Sequence, residues 1–392
     1  MRKKSLVVTT FYGLNGDNLL ADDLDLFLNN ENFKTYVIFL DWAGQFKTGI
    51  YRKNQTIIFC YSSNLLSKSL LFKWALMSPF AFLYFFKYLK KIKFDIFSSF
   101  SPVITVWFFV LFHRKVEKKA LFYFDFFPIH HFQINKIKSA ILQKVLYFTE
   151  ASLVRYFDFV GCMSPKNIDY FVKYFSFEKT KVFEVPLWYK NSRIQKNEVE
   201  STEFKKRLGV NSSDLLLLFG GQLEKGRGIE FLCELAKEIT LKNIPVTIIV
   251  LGKGGLESLI INASHKFDKI KYLGSVSKFE YKKFLQLVDI GLAITLGGVD
   301  VPTYPSKVIE YSAASLPILA NIESTSDISD ILHKYDAGFV SNSGDMNMFL
   351  SDLCKLLDRN ILEKMSLNSY NLFLSRHNIP TALNLFKSYI NE

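Results

Sequence analysis

The feature that most constrains the fold is an alternation along the whole chain: strand-length apolar runs, bounded by turn residues, are separated by longer amphipathic stretches. This pattern is typical of β-α units, which build parallel sheets with helices on their faces. In the first half, strands are predicted at residues 5–10, 35–40, 57–60, 96–99, 120–124, 159–163 and 182–185. In the second half, they are predicted at residues 215–219, 246–251, 270–273, 290–294, 318–320 and 338–341. The pattern therefore predicts an α/β protein with two Rossmann-like sheets.

A polar and charged stretch at residues 190–214 separates the two series and has no continuous apolar run. The chain has 392 residues, and single hydrophobic cores stop growing near about 250–300 residues, so two domains are expected. We predict a first domain at residues 1–190, a second at 191–375, and a C-terminal helix at 376–392 that crosses back to the first. Only helices are expected after residue 360. Ligands are expected in a central cleft, at the carboxyl ends of the strands.

The formal net charge of +12 suits nucleic acid, an anionic membrane surface or phosphorylated substrates. Much of the excess lies among long Phe, Leu and Trp runs in the first half, a combination that suits an anionic bilayer surface. No RNA-binding, zinc-finger or helix-turn-helix pattern accompanies it, so nucleic acid is not expected as a partner. The basic positions are Lys68, Lys73, Lys87, Lys90, Lys91, Lys93, Arg114, Lys115, Lys118, Lys119, Lys136, Lys138 and Lys144.

The cysteines are scattered, without a C-x-x-C pair, which indicates a reducing compartment. The N-terminus reads as a strand after basic residues and not as a signal peptide, so a cytoplasmic protein is expected. Peripheral attachment to the cytoplasmic face of the inner membrane is the alternative localisation. Two apolar stretches, residues 74–86 and 96–112, are interrupted by proline or by serines and proline. We therefore predict buried core there, with an interfacial or re-entrant segment as the alternative.

The first motif with chemical content is FGGQLEKGRGIEFL at residues 219–232, between a predicted strand and a predicted helix. Glycines allow the backbone to approach a ligand closely, and a helix N-terminus offers N–H groups and a positive dipole end to phosphate. Lys225 and Arg227 add full charges. The alternative is a flexible loop with solvated cations. The glycines are Gly220, Gly221, Gly226 and Gly228.

The second motif is TYPSKVIEYSAASLPILA at residues 303–320. Pro305 suits the first turn of a helix, and Ser306 or Thr303 is expected to cap it. Lys307 and Glu310 then lie on one helix face, where a cation could meet phosphate and a carboxylate could accept hydrogen bonds from ribose hydroxyls. The alternative is a Lys-Glu pair on the surface of an ordinary helix.

These two motifs resemble the donor domain of retaining family 4 glycosyltransferases. The family pattern G-R-L-x-x-x-K-G-x-x-x-L is matched without gaps from Gly221 to Leu232. LGKGG at residues 251–255, YLGSV at 272–276 and the PSKVIEY helix are also similar. The resemblance implies a GT-B fold and transfer of a sugar from a nucleoside diphosphate to an acceptor hydroxyl with retention. A hexosyl or N-acetylhexosaminyl transfer in cell-surface polysaccharide synthesis is expected, to a glycan or lipid-linked acceptor.

Carried over by the resemblance, the catalytic residues are Asp125, Arg227 and Lys307. A UDP-sugar is favoured over a GDP-sugar as the co-substrate, and neither a further cofactor nor a metal is expected. The expected acceptor-side residues are Gly13, His130 and His131. The donor-binding residues would be Gly220, Gly221, Gln222, Lys225, Gly252, Thr303, Tyr304, Ser306 and Glu310.

The chain departs from the family pattern at several positions. Gln222 replaces the usual Arg, and Arg227 replaces the usual diphosphate-binding Lys. The planar guanidinium of Arg227 can still bind two phosphate oxygens at once. Pro302 stands where the family's E-x7-E motif has its first Glu, and Asp300 is a candidate substitute. Phe124 occupies the position of a family His. Two alternatives therefore remain: a catalytically silent GT-B-like partner subunit, and a GT-B-fold epimerase or hydrolase of the sugar nucleotide.

Two weaker patterns are set aside. Gly252, Gly254 and Gly255 match only part of a dinucleotide fingerprint, because Glu257 replaces its third glycine. The acidic cluster Asp22, Asp23 and Asp25 lies in an amphipathic stretch and is interpreted as the solvated face of a helix rather than a metal site.

Overall fold

The computed structural model describes residues 3–14, 20–63, 73–112, 116–133, 137–190, 196–295 and 300–392. The chain divides into two compact units, residues 1–190 with 382–392, and residues 191–381. The return to the first unit begins at Ala382 and not at 376, because Phe373 and His377 are buried within the second unit.

The first unit contains a sheet of eight strands in the order β3-β4-β2-β1-β5-β6-β7-β8. All neighbours are parallel except β3, which runs antiparallel to β4. The strand order reverses between β1 and β5, so the loops that follow these two strands flank a topological switch point. The strands are β1 (Lys4–Thr9), β2 (Lys34–Asp41), β3 (Gly49–Lys53), β4 (Thr56–Ser62), β5 (Ile96–Phe100), β6 (Lys118–Phe122), β7 (Phe159–Cys162) and β8 (Val182–Glu184).

Two helix starts of this unit are held by side chains that accept backbone N–H groups. Ser164 caps the helix Pro165–Phe175 by accepting from the Asn167 N–H, and the helix starts with proline, whose missing N–H costs nothing there. The buried Glu150 carboxylate accepts the Val103 and Ile104 N–H groups at 2.7 and 2.8 Å, and burial raises its pKa to about 7. The α-helices are Leu20–Asn30, Ser78–Leu89, Trp107–Phe112, Ile129–Gln133, Ala140–Val154, Pro165–Phe175 and Asn384–Asn391, with shorter helical turns at Lys73–Met77, Val103–Val106 and Lys179–Lys181.

The second unit contains a parallel sheet of six strands in the order β11-β10-β9-β12-β13-β14. Strand Val246–Leu251 is buried at every residue, as expected of a parallel strand covered on both faces. The order reverses between β9 and β12, which places the switch point at their carboxyl ends. The strands are β9 (Leu215–Gly220), β10 (Val246–Leu251), β11 (Ile270–Tyr272), β12 (Ile290–Ile294), β13 (Ile318–Ile322) and β14 (Gly338–Asn342).

Helices connect these strands and continue beyond the last one. The chain after residue 360 is helical, as predicted, with Phe373–His377 forming a π-helical turn. The α-helices assigned in residues 191–391 are Glu198–Arg207, Ile229–Leu241, Glu257–Lys266, Lys278–Phe284, Lys307–Ala313, Ile328–Tyr335, Met346–Lys355, Arg359–Leu372, Ile379–Ala382 and Asn384–Asn391, the last of which belongs to the first unit.

The structure confirms all thirteen predicted strands to within a few residues and adds two elements. The antiparallel edge strand β3 was missed because none of its residues is fully buried, so it lacks an apolar run. Helix Glu198–Arg207 lies in the stretch interpreted as linker; only Ser201 and Phe204 of this helix are buried.

The interpretation of the acidic cluster as a solvated face is wrong. Asp22, Asp23 and Asp25 are each 5% exposed. The Asp22 carboxylate accepts from the Gly13 N–H at 2.9 Å and pairs with the Lys53 ammonium at 2.6 Å, while Asp25 accepts from the Tyr12 hydroxyl. Burial raises the pKa of Asp25 to about 7. Internal hydrogen bonds therefore hold Asp22 and Asp25 in the core.

The apolar stretches of the first unit are only partly core. Strand β5 is buried throughout, but Leu83 and Tyr84 on helix Ser78–Leu89 are 64% and 57% exposed. No helix among the described residues combines the length and apolarity needed to cross a membrane. The prediction of buried core therefore fails for the outer side of helix Ser78–Leu89. The buried residues of this helix are Ser78, Ala81, Phe82, Phe85 and Leu89.

Candidate functional site

Both sequence motifs fall at the switch point of the second unit. Strand β9 ends at Gly220 and its parallel neighbour β12 ends at Ile294, with Leu218 opposite Gly291. The first motif continues from β9, and the second precedes and forms helix Lys307–Ala313 after β12. The sheet therefore brings the two motifs to one edge, where open α/β sheets bind ligands.

The loop after β9 is fastened to the loop after β10. The Gly221 N–H donates to the Leu251 carbonyl at 3.0 Å, and the Leu223 N–H to the Lys253 carbonyl at 3.0 Å. At Gly252, φ is +148°, and an added Cβ would lie 1.8 Å from the Gly221 carbonyl oxygen. Only glycine permits this approach, so Gly252 acts on the candidate site by allowing the two loops to lock together.

The thirteen-residue helix Ile229–Leu241 begins against the end of β12. Its N-cap, Gly228, has φ +70°, and a Cβ there would lie 2.2 Å from Ile294 Cγ2. The side chains of Gln222, Lys225 and Arg227 are exposed beside this N-terminus. Exposed cations next to free helix N–H groups form an arrangement suited to an anion.

On helix Lys307–Ala313, Lys307 and Glu310 are paired at 2.6 Å, with their side chains 29% and 24% exposed. A Lys-Glu pair on the helix surface is what the alternative interpretation of this motif predicts. The Lys307 ammonium, however, also lies 3.9 Å from the centroid of the Tyr281 ring. The predicted hydroxyl cap is wrong: Ser306 makes no side-chain cap bond, and Thr303 donates to Glu323 instead.

Tyr311 fastens this helix to the sheet. Its hydroxyl donates to the Leu218 carbonyl at 3.0 Å and accepts from the Gly220 N–H at 3.3 Å. Its ring packs on Gly291, where an added Cβ would lie 2.3 Å from Cγ of the Tyr311 ring. Burial holds the pKa of Tyr311 well above its usual value. Sequence reasoning did not select Tyr311, although it directly follows Glu310 in the motif.

Glu323 was also missed, and it organises the entry to the same helix. Its carboxylate is 8% exposed and accepts from the Thr295 hydroxyl at 2.5 Å and from the Thr303 hydroxyl. Ser326 donates to the Thr303 carbonyl at 2.7 Å. A carboxylate just after a buried strand was the only sequence signal for this role.

Two other predicted donor residues have different surroundings. Tyr304 is 7% exposed, and its hydroxyl is hydrogen-bonded to His377 Nε2 at 2.9 Å. This bond turns its side chain into the second unit. Asp300, the proposed substitute for the missing first Glu, is exposed, and Pro302 is buried. Residues 296–299, just before Asp300, lie outside the described part.

In the first unit, the predicted acceptor-side residues lie near the carboxyl ends of the strands. The Gly13 N–H donates to Asp22 and the Gly13 carbonyl accepts from Lys53 at 2.7 Å, so the backbone of Gly13 is already hydrogen-bonded. Asp125 is exposed, and its N–H donates to the Ser101 hydroxyl at 2.9 Å. His130 and His131 follow on helix Ile129–Gln133, with ring centroids 6.1 Å apart and planes at 85°.

A cavity of about 240 Å³ lies at the carboxyl ends of β1 and β2. Aromatic side chains line it, and Asp41 shapes its outer loop by accepting the Ala43, Gly44 and Phe46 N–H groups. Among the described residues, no group of three or more His, Cys, Asp or Glu side chains is arranged to hold a metal. The aromatic lining residues are Phe11, Tyr12, Phe39, Trp42 and Phe46.

The whole chain is similar to solved two-domain structures. Sucrose-phosphate synthase from Thermosynechococcus elongatus has a TM-score of 0.77 at 12% identity, with 99% of each chain covered. HepE from Anabaena in complex with UDP has a TM-score of 0.71 at 11% identity, again with 99% of each covered. The chain has the GT-B fold.

The catalytic domain of starch synthase IV from Arabidopsis thaliana, bound to ADP and acarbose, aligns with this GT-B chain at a TM-score of 0.69 and 11% identity, covering 100% of it and 99% of that domain. Residues 214–359 match the family model described as "Glycosyl transferases group 1". The matched segment contains both motifs, so the second unit is similar to the glycosyltransferases of that group. No curated protein matches the sequence significantly.

Proposed function

We propose that the protein is a retaining glycosyltransferase of the family 4 type, which transfers a hexose or N-acetylhexosamine from a nucleoside diphosphate to an acceptor hydroxyl. The observation that carries the proposal is the convergence of the Gly220–Gly228 loop and helix Lys307–Ala313 at the switch point of a GT-B second unit. Both lie within the segment that matches the glycosyltransferase model.

The hard step is departure of the nucleotide, because negative charge develops on the diphosphate. Arg227 and Lys307 supply full positive charge, and the N-terminus of helix Ile229–Leu241 supplies oriented N–H groups. Such preorganised donors lower the barrier most where charge develops. Glu310 would accept hydrogen bonds from the ribose hydroxyls, and Asp125 would face the reacting sugar. A UDP-sugar is the donor we favour.

The first test is Arg227→Ala. Because a hydrogen bond to a charged group contributes about 1.5–3 kcal/mol, nucleoside diphosphate affinity should fall by roughly 10- to 150-fold. Affinity for the nucleoside should barely change, since it lacks phosphate. The matched control is Lys237→Ala, which removes a cation from the helix that follows Arg227; its side chain is 44% exposed and pairs with Glu234. Titration calorimetry with UDP and uridine measures both; equal UDP affinity in the two variants contradicts the role of Arg227.

The alternatives make different predictions for turnover. Pro302 and Phe124, at the positions of a family Glu and His, motivate the catalytically silent subunit, which would bind nucleotide without consuming sugar donor. An epimerase or hydrolase would consume donor when no acceptor is present. A transferase requires both substrates. Donor consumption, measured with and without an acceptor mixture from the cell surface, therefore separates the three functions.

We further propose that the protein acts in cell-surface polysaccharide synthesis, on a glycan or lipid-linked acceptor, from the cytoplasmic face of the inner membrane. An aromatic-basic surface, formed by the exposed side chains of helices Ser78–Leu89 and Trp107–Phe112 with Lys90 and Lys91, supports this. The Phe82 and Phe112 rings join the two helices, with centroids 4.1 Å apart. Its exposed apolar residues are Phe80, Leu83, Tyr84, Phe86, Tyr88, Leu111 and Phe112.

Not every predicted lysine belongs to this surface. The Lys118 ammonium donates to the Tyr389 carbonyl at 2.7 Å, and Lys119 pairs with Asp158 at 3.3 Å, so both fasten elements of the first unit. Lys87, Lys90 and Lys91 are exposed beside the aromatic residues. Lys68, Arg114, Lys115 and Lys136 lie outside the described residues.

Vesicle sedimentation tests the membrane proposal. Each Lys near an anionic surface contributes about 1 kcal/mol, so binding to phosphatidylglycerol vesicles should occur at low salt and be released at high salt. Leu83→Glu should abolish it. Val199→Glu, a change at a residue 70% exposed in the second unit, should not. Equal binding of both variants, or none by the wild type, would direct the search to soluble glycans.

A further inference from the structure

Tyr281 lies between the two motifs without belonging to either. It is part of helix Lys278–Phe284, which begins with a reciprocal capping box: Ser277 accepts from the Glu280 N–H, and Glu280 accepts from the Ser277 N–H at 2.9 Å. Such a cap fixes the start of a short helix. The position of Tyr281 is therefore defined by its own element, independently of Lys307.

On one side, Tyr281 packs against the glycine loop. A Cβ built on Gly220 would lie 2.5 Å from a carbon of the Tyr281 ring and 2.7 Å from its hydroxyl oxygen. A residue with a side chain at position 220 would have to displace the ring. Gly220 thus serves the site by making room for Tyr281 at the end of β9.

On the other side, Tyr281 contacts the Lys307 ammonium, whose nitrogen is 3.9 Å from the ring centroid. Cation–π attraction operates within about 6 Å and strengthens at short range. The next shortest cation–ring separation among the described residues is 4.8 Å, between Lys283 and Phe279 on the same helix as Tyr281. The Lys307 contact is therefore the closest of its kind here.

The ring and Glu310 hold the ammonium in different ways. Glu310 accepts a hydrogen bond at 2.6 Å and offsets the positive charge. An aromatic face attracts the cation but carries no net charge, and an ammonium has three N–H donors. A lysine seated on a ring can therefore still donate to phosphate oxygens, whereas its bond to Glu310 competes with them.

We propose that Tyr281 is a positioning residue that seats the Lys307 ammonium for the donor diphosphate. In this inference, which rests on the proposed function, phosphate oxygens replace the Glu310 carboxylate as acceptors of the Lys307 hydrogen bond. The ammonium stays on the ring, and the released carboxylate is then available to ribose hydroxyls. On this view the bond between Lys307 and Glu310 is the contact that the donor diphosphate replaces.

The test compares Tyr281→Leu, which removes the ring, with Tyr281→Phe, which keeps it. Calorimetry with UDP and with uridine should show UDP affinity reduced by about 5- to 20-fold in Tyr281→Leu and within twofold of wild type in Tyr281→Phe. Uridine affinity should be unchanged in both. Phe279→Leu, which removes the neighbouring cation–ring contact on the same helix, is the matched control and should leave UDP affinity unchanged.

A second measurement distinguishes loss of the ring's contact with Lys307 from general structural damage caused by Tyr281→Leu. In a Lys307→Met background, adding Tyr281→Leu should cause no further loss of UDP affinity, because the ring acts through the ammonium. Additive losses, equal losses of UDP and uridine affinity, or equal losses in Tyr281→Phe and Tyr281→Leu would each overturn the inference. If wild type binds UDP but Tyr281→Leu binds it equally well, only this inference fails; if wild type binds none of UDP, GDP and ADP, the proposed function fails with it.

Discussion

Replacing Glu323 tests whether the entry to helix Lys307–Ala313 is organised by one buried carboxylate. Thr295, the residue after β12, and Thr303, four residues before Lys307, both donate their hydroxyl hydrogens to it. Glu323→Ala leaves both hydroxyls without this acceptor, whereas Glu323→Gln keeps one carbonyl oxygen in nearly the same shape. The two variants therefore separate loss of the acceptor from loss of charge.

The expected magnitudes follow from these two bonds. Each buried group left unsatisfied costs about 1–3 kcal/mol, and Thr303 is only half-buried. Glu323→Ala should therefore lower the free energy of unfolding of the second unit by about 2–5 kcal/mol. Glu323→Gln should cost about 1–2 kcal/mol, because bonds to a neutral acceptor are weaker. A unit of this size loses about 2–4 °C in Tm per kcal/mol, which predicts a fall of about 4–20 °C for Glu323→Ala.

Scanning calorimetry measures this fall in the transition that UDP shifts, because that transition marks the unit that binds it. UDP affinity should also drop in Glu323→Gln, since the residues that lead to Lys307 lose their anchor. The control is Glu363→Gln, which alters an exposed pair with Arg359 at 3.4 Å and should change stability by less than about 0.5 kcal/mol. A Tm for Glu323→Ala equal to that of the control would refute the reasoning.

Three further predictions concern other parts of the molecule. Gly252→Ala should abolish nucleotide binding and destabilise the second unit, because the added Cβ would lie 1.8 Å from the Gly221 carbonyl oxygen. Gly255→Ala is the control and should do neither, because its Cβ would meet only the flexible Glu224 side chain. Calorimetry with UDP compares the two variants. The pKa of Glu150 is about 7 in the folded protein, against 4.5 for an ordinary Glu, so the folded state binds this proton more tightly than the unfolded state does. The free energy of unfolding should therefore fall by up to about 3 kcal/mol as the pH rises from 4.5 to 7. Urea unfolding should show that this slope is lost in Glu150→Gln, and an unchanged slope would contradict the assignment. Glu310→Gln should weaken UDP binding with little effect on stability, whereas unchanged affinity would favour the simple surface pair.

The fold was largely predictable because parallel strands are buried on both faces and leave continuous apolar runs. Val246–Leu251 and Ile290–Ile294 were predicted with the bounds that the structure assigns. Strand β3 was not, because its residues are exposed or half-buried at a sheet edge. Helix Glu198–Arg207 was missed for a related reason, since only Ser201 and Phe204 of the helix are buried.

The candidate site was predictable where glycines and charges cluster in sequence, as at Gly220–Gly228 and Lys307–Glu310. Its supporting residues were not, because their contacts join distant parts of the chain. Tyr311 reaches Leu218, Glu323 reaches Thr295, and Tyr281 reaches both Gly220 and Lys307. The acidic cluster at residues 22–25 was misinterpreted for a similar reason: helical periodicity marked it as polar and solvated, but the half-buried Lys53 and the buried Tyr12 supply partners for Asp22 and Asp25.

The central claim is that the second unit binds a nucleoside diphosphate through its phosphates. The most direct measurement is the thermal shift of the wild-type protein with UDP, GDP, ADP and their nucleosides. A ligand at 100 times its Kd stabilises by about 2.7 kcal/mol, so one diphosphate should raise Tm by several degrees while its nucleoside raises it far less. Equal shifts for diphosphate and nucleoside, or no shift with any of the six compounds at millimolar concentration, would contradict the account.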